Sequence, residues 1–264
     1  MREVVVGDVA VRLEAGEAGG RYLAPILIVP GLFQSWVCWR GMTSMLAHRG
    51  WDVYLLPRLN ERDGSLVPNR AEGWSAAVET ASRVTRELSD KVILFGADVG
   101  AAIALATLER AHPLALALFA PVDPAVAGKA FEQSLGFFAR RRARASTEQA
   151  VEPPPTLAKQ VHRKTDSVAE PAALMRDLTK NAAFRRPAEH PPAIVFAPQE
   201  DPLVEREDAI AFTPSPYAKL ARTPLVGRWW PSSRWEPVAD EVHRFLILTL
   251  ADRVVEFPEE ILED

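Results

Sequence analysis

The sequence contains one cysteine, Cys38, in 264 residues. A single thiol excludes an internal disulfide and every metal site built on several cysteines. Long apolar runs are also missing. The stretch at 25–32 is far shorter than the roughly 20 residues that a membrane-spanning helix requires. The opening Met1-Arg2-Glu3-Val4-Val5-Val6 alternates at once, without the apolar centre of a secretory signal, so a cytoplasmic protein is expected. Charge of one sign is absent as well. Thirty-one basic side chains against 35 acidic ones leave a net charge of −4, with no electrostatic footprint for nucleic acid. What is present is an ordinary globular mixture, 48% hydrophobic and 25% charged, enough for one large domain or for a domain with an insertion.

Residues 3–6 and 9–14 alternate as strands around the turn Gly7-Asp8. Ile26-Leu27-Ile28-Val29 has no polar face, which fits a strand buried on both sides of a parallel sheet. A helical pattern over 39–49 stops at Gly50, and a strand is expected over 51–56. The alternation continues with a helix over 70–89, a strand over 92–95, an alanine-rich helix over 99–111 and strands over 114–120 and 193–197. A strand is expected within 217–226 and a helix over 238–250. Apolar strands alternating with helices define an α/β fold, with a mostly parallel, doubly wound sheet. About 70 residues separate the strands ending at 120 and beginning at 193, where a simple strand–helix–strand unit takes about 30. The expected organisation is a core of residues 1–124 and 188–264, with a small helical cap inserted at 125–187.

The segment Val92-Ile93-Leu94-Phe95-Gly96-Ala97-Asp98-Val99-Gly100-Ala101-Ala102 carries the most chemistry. A buried strand runs through Gly-x-Asp-x-Gly into a helix of small residues, the shape of a nucleophile elbow. Such a turn raises one side chain at a helix N-terminus, where the dipole favours negative charge. A carboxylate placed there can attack carbon and form an ester that water must hydrolyse. The plainer alternative is that Asp98 only caps the helix.

With these residues, the sequence resembles the α/β-hydrolase superfamily along nearly all of its length outside the cap. Pro30-Gly31-Leu32-Phe33-Gln34-Ser35-Trp36 is similar to the family's oxyanion loop, with Pro30 where histidine is usual. The aspartate elbow, with Trp36 and Trp39, is most similar to the epoxide-hydrolase and haloalkane-dehalogenase branch, in which aspartate is the nucleophile. Phe196-Ala197-Pro198-Gln199-Glu200-Asp201-Pro202 resembles the strand end that supplies the triad acid. The resemblance therefore implies Asp98 as reactive carboxylate and Asp201 as orienting acid. It also implies an oxyanion hole from the backbone N–H groups of Leu32 and Val99, and a substrate pocket at Phe33, Trp36, Arg228, Trp229 and Trp230. No metal and no organic cofactor is expected, since the sequence has no phosphate loop and no Gly-x-Gly-x-x-Gly after a strand.

The family's histidine is missing. In Val226-Gly227-Arg228-Trp229-Trp230-Pro231 the glycine is present, but Arg228 follows it, with Trp229 one position on. Arginine stays protonated at working pH and cannot act as a general base. Of the five histidines, His48 and His112, at helix C-termini, and His243, in the last helix, read as structural; His190 leads into a strand start on the wrong side of the sheet, and His162, in the cap, could point down at Asp98. Asp123 stands at an alternative acid position, or is a turn residue before Pro124. The branch's tryptophan after the nucleophile is replaced by Val99, and none of the three tyrosines is in the cap. Trp229, Trp230 and Trp235 either fill the former cavity or line a pocket. Three functions stay open: a divergent hydrolase acting on a small apolar substrate with an incomplete triad, a catalytically silent protein binding a small apolar ligand or a partner, and a cyclase, lyase or isomerase using Asp98 as general acid or base.

Overall fold

The computed structural model describes residues 1–17, 22–31, 36–57, 61–62, 65–66, 71–121, 191–197, 218–222 and 235–254. Strands β1 (Arg2–Val6) and β2 (Val9–Glu14) pair as an antiparallel hairpin, and Gly7 takes the left-handed conformation at its turn, φ 61°. There follow β3 (Ile26–Val29), α1 (Trp36–His48), β4 (Val53–Leu55), a two-residue ladder of β5 (Glu61–Arg62) with β6 (Ser65–Leu66), and α2 (Ala71–Leu88). The chain continues through β7 (Ile93–Ala97), α3 (Val99–Thr107), β8 (Ala115–Phe119), β9 (Ala193–Ala197), β10 (Ala218–Arg222) and a last helix, α4 (Glu236–Val254).

Eight strands form one sheet in the order β1-β2-β4-β3-β7-β8-β9-β10. The pairs β1/β2 and β2/β4 are antiparallel, and every pair from β4 to β10 is parallel. The α/β class and the mostly parallel, doubly wound sheet are thus present. The runs at 26–29 and 193–197 are strands over those same residues, because an all-apolar run is stable only between two covering layers.

Alternation along the strands divides the core. Leu27, Val29, Leu94, Leu116 and Leu118 face α2 and α3, with Val78, Ala81, Val84, Ala101, Ala102 and Ala104. Ile26, Ile28, Phe95, Phe119 and Phe196 face α1 and α4, with Trp39, Met42, Leu46, Val238, Val242 and Leu246.

Several boundaries differ from the sequence expectation. The helix α1 begins at Trp36, three residues early, and the cap that follows it takes Trp51, expected to open the next strand. Gly50 adopts φ 95°, its N–H donates to the Ala47 carbonyl and the Trp51 N–H to that of Leu46. This is a Schellman cap, and the buried Trp51 and Leu46 supply its apolar contact. The strand β4 therefore starts only at Val53. The helix α3 stops at Thr107, four residues short, where hydrogen bonds tighten to i→i+3 (Leu108 N–H to Leu105 O, Arg110 N–H to Thr107 O).

Candidate active site

The strand β7 ends at Ala97, and the chain turns at Asp98 directly into α3. Asp98 has φ 56° and ψ −125°, a conformation that residues with side chains rarely adopt and that costs about 1–3 kcal/mol. It is held by its surroundings. The Asp98 N–H donates to the Phe119 carbonyl at 2.9 Å, extending the β7–β8 ladder, and its carbonyl accepts from the Ala101 N–H at 3.1 Å. The Asp98 side chain makes no capping hydrogen bond to α3. Asp98 thus holds the N-cap position of α3 through its backbone, without a cap from its side chain.

The flanking glycines are required by contact. A Cβ on Gly100 would collide with the Val29 carbonyl oxygen and lie 2.6 Å from that of Pro30. One on Gly96 would lie 2.6 Å from the Ala101 Cα and the Gly100 oxygen. The elbow is thus pressed between its own helix and the end of β3. A third glycine belongs to the same arrangement: a Cβ on Gly31 would stand 2.8 Å from the Asp98 Cβ and 3.0 Å from its Oδ2. In the sequence Gly31 carries only a loop signature, with no local signal of its closeness to the carboxylate. Asp98 is only 6% exposed, so its charge lies largely out of water, close to the positive end of the α3 dipole. Val99 is the first residue of α3, so its N–H has no acceptor within the helix.

Beneath the elbow, on the α1/α4 face, lies an aromatic cluster. Trp39 and Trp235 stack with centroids 4.9 Å apart and planes 21° from parallel. Trp39 meets Phe95 edge-on at 5.4 Å, and Trp235 meets Phe119 at 5.9 Å. The Trp235 indole N–H donates to the Cys38 carbonyl at 2.6 Å. Trp235 is 2% exposed and fastened to the first turn of α1. Trp36 is 37% exposed, and its ring carries the guanidinium of Arg12 at 4.7 Å.

Three histidines can be placed. His48 ends α1 and meets the Glu17 carboxylate at 2.9 Å. His112 lies exposed in the link from α3 to β8, beyond the helix end where it was expected. His243 is in α4 and accepts from the Trp51 indole. Leu32, Phe33, Asp123, His162, His190, Asp201, Arg228, Trp229, Trp230 and the cap at 125–187 lie outside the described residues. Among the described residues, no group of three His, Cys, Asp or Glu side chains is placed to hold a metal ion. No helix among them is long and apolar enough to cross a membrane.

An eight-stranded sheet with an elbow at the end of its fifth strand in spatial order, and helices on both faces, defines the hydrolase class of α/β proteins. The chain belongs to the alpha/beta hydrolase family, whose model matches residues 26–262. Solved structures agree. An esterase from Thermogutta terrifontis is 16% identical, with a TM-score of 0.62 over 94% of this chain and 99% of its own. An enol-lactonase from Burkholderia xenovorans is 15% identical, with a TM-score of 0.62 over 93% and 99%. A bottromycin epimerase, solved with bottromycin A2, is 19% identical, with a TM-score of 0.59 over 93% and 98%. No curated protein matches the chain in sequence.

Proposed function

We propose that the protein is a divergent hydrolase in which Asp98 is the reactive carboxylate, acting on a small apolar substrate with an incomplete triad. The observation that carries this reading is the strained backbone of Asp98, a buried acid at φ 56° and ψ −125° flanked by positions where a Cβ would clash. A residue needed only to begin a helix has no use for that conformation, whereas a side chain that must be presented to a ligand does. In this mechanism an Asp98 oxygen forms a bond to a substrate carbon. The leaving group departs with the electron pair: halide from a haloalkane, or the ring oxygen of an epoxide, which then takes a proton. Val99 and Leu32 backbone N–H groups stabilise the oxyanion formed when water adds to the resulting ester, and Asp201 is the orienting acid. Arg228 or Trp229 stands where the family has its base, so the second step is slow and the ester persists. Phe33, Trp36, Arg228, Trp229 and Trp230 form the pocket, covered by the cap at 125–187, and the protein works in the cytoplasm.

A second reading keeps Asp98 but makes it a general acid or base in an isomerase, cyclase or lyase. The fold does host such chemistry, since one structurally similar protein is an epimerase. Intact-protein mass after incubation with esters, epoxides and haloalkanes separates the readings. The expected outcome is a substrate-sized adduct that disappears in Asp98→Ala. Turnover without an adduct, also lost in Asp98→Ala, indicates that another group replaces the histidine or that Asp98 moves protons. Neither adduct nor turnover overturns hydrolysis by this route and leaves a binding role.

A further inference from the structure

The helix α4, which follows the segment where the family carries its base, is tied to the body of the protein by a contact between two residues 192 positions apart. The Trp51 indole N–H donates to Nδ1 of His243 at 3.0 Å. Trp51 has no freedom to turn away, because it is the apolar residue of the Schellman cap that ends α1, is fully buried, and stacks on Tyr22 with centroids 4.1 Å apart. His243 stands edge-on to Trp51 at 6.2 Å and tilted to Tyr22 at 6.0 Å. An indole nitrogen can only donate. The Nδ1 it meets must therefore carry a lone pair, which requires the neutral imidazole with its proton on Nε2.

We infer that the Trp51–His243 pair is a pH-sensitive latch that holds α4 against the turn between α1 and β4 and releases when His243 is protonated. A proton on Nδ1 would set two N–H groups against each other beside the Trp51 and Tyr22 rings. The charged groups facing the ring make the cation no more welcome. Arg49, at the end of α1, directs its guanidinium to the Asp240 carboxylate and to the Met45 carbonyl, so Asp240 is already engaged by another cation. Tyr22 and Trp51, from the segments leading into β3 and β4, contribute aromatic rings without a formal charge. Burial first, and then the Arg49 charge, hold His243 below the ordinary histidine value, with Asp240 opposing them. In the unfolded chain His243 titrates at its ordinary value, so between the two values the unfolded chain binds more protons than the fold. The latch is therefore complete above the ordinary histidine value and is lost as pH falls through it toward the lower, folded one.

This inference is independent of the chemistry at Asp98. It is tested by histidine-detected NMR titration and by hydrogen exchange of the α4 amides, corrected for intrinsic rates, on the full chain from about pH 8 to pH 5 (the range that brackets histidine titration). In the wild type, His243 is expected as the Nε2–H tautomer, with loss of α4 protection accompanying its protonation. In Trp51→Phe the His243 midpoint should move up. In His243→Gln, whose side-chain oxygen accepts from Trp51 without titrating, α4 protection should fall much less on acidification. A His243 midpoint unmoved by Trp51→Phe, an Nδ1–H tautomer in the wild type, or parallel loss of α4 protection in the wild type and His243→Gln would each overturn the latch. If His243→Gln does not fold, the tautomer and the Trp51→Phe titration still decide.

Discussion

The two faces of the central sheet are packed in opposite ways. Toward α2 and α3 the filling is aliphatic and small: Ala101, Ala102, Ala104 and Ala106 bring α3 close to the strands, with leucine and valine opposite. Toward α1 and α4 it is aromatic and large: Trp39, Trp51, Phe95, Phe119, Phe196 and Trp235. Adjacent residues of one strand serve both, with Leu94 on one side and Phe95 on the other. The difference shows what each face is for. The small face allows a helix to start almost on top of β3, which presses Asp98 into its elbow. The aromatic face supports that elbow from below and joins helices distant in sequence.

If this contrast is correct, the two faces should fail by different mechanisms. Removing bulk should hurt the aromatic face most. Trp39→Ala should cost about 3–5 kcal/mol in urea unfolding, from lost burial and a cavity that its neighbours cannot fill. Trp39→Phe should cost far less than Trp39→Ala, since it also removes a buried indole N–H that has no acceptor among the described residues. Adding bulk should hurt the small face. Gly100→Ala forces one carbon into the Val29 carbonyl and should cost about 3 kcal/mol by the same measurement, because a backbone oxygen cannot step aside. At the elbow itself the sign should reverse. Asp98→Gly relieves a conformation that only glycine adopts readily, and should raise stability by about 1 kcal/mol while abolishing adduct formation. A variant that loses the adduct without gaining stability would mean that the strain is carried elsewhere.

Much of this was legible in the sequence, and for identifiable reasons. The strands at 26–29 and 193–197 could be placed to the residue because a run with no polar face has only one stable setting, between two layers. The elbow could be found from Gly96, Asp98 and Gly100 because close contact leaves no other residue type for the flanking positions. The ladder of β5 and β6 could not: Glu61-Arg62 and Ser65-Leu66 have neither alternation nor β-branched residues. Nor could Ala120, which like Asp98 has a positive φ, 44°, at the end of the neighbouring strand, since alanine carries no signal for it. The contact between Gly31 and Asp98 was hidden because the two residues lie 67 positions apart and meet only when β3 and β7 pair.

The sequence by itself determined the layers, the class of sheet and the identity of the residue at the elbow, because these follow from local periodicity and from the size of side chains beside one turn. Only the tertiary structure decided that Asp98 has a strained backbone, that Trp235 is buried against α1, and that the Trp51 indole meets Nδ1 of His243. Each of those depends on a partner far along the chain: Phe119 for the Asp98 backbone, Trp39 and Cys38 for Trp235, and Trp51 for the imidazole. No pattern within one segment can specify the lone pair or the free volume that another segment will present to it.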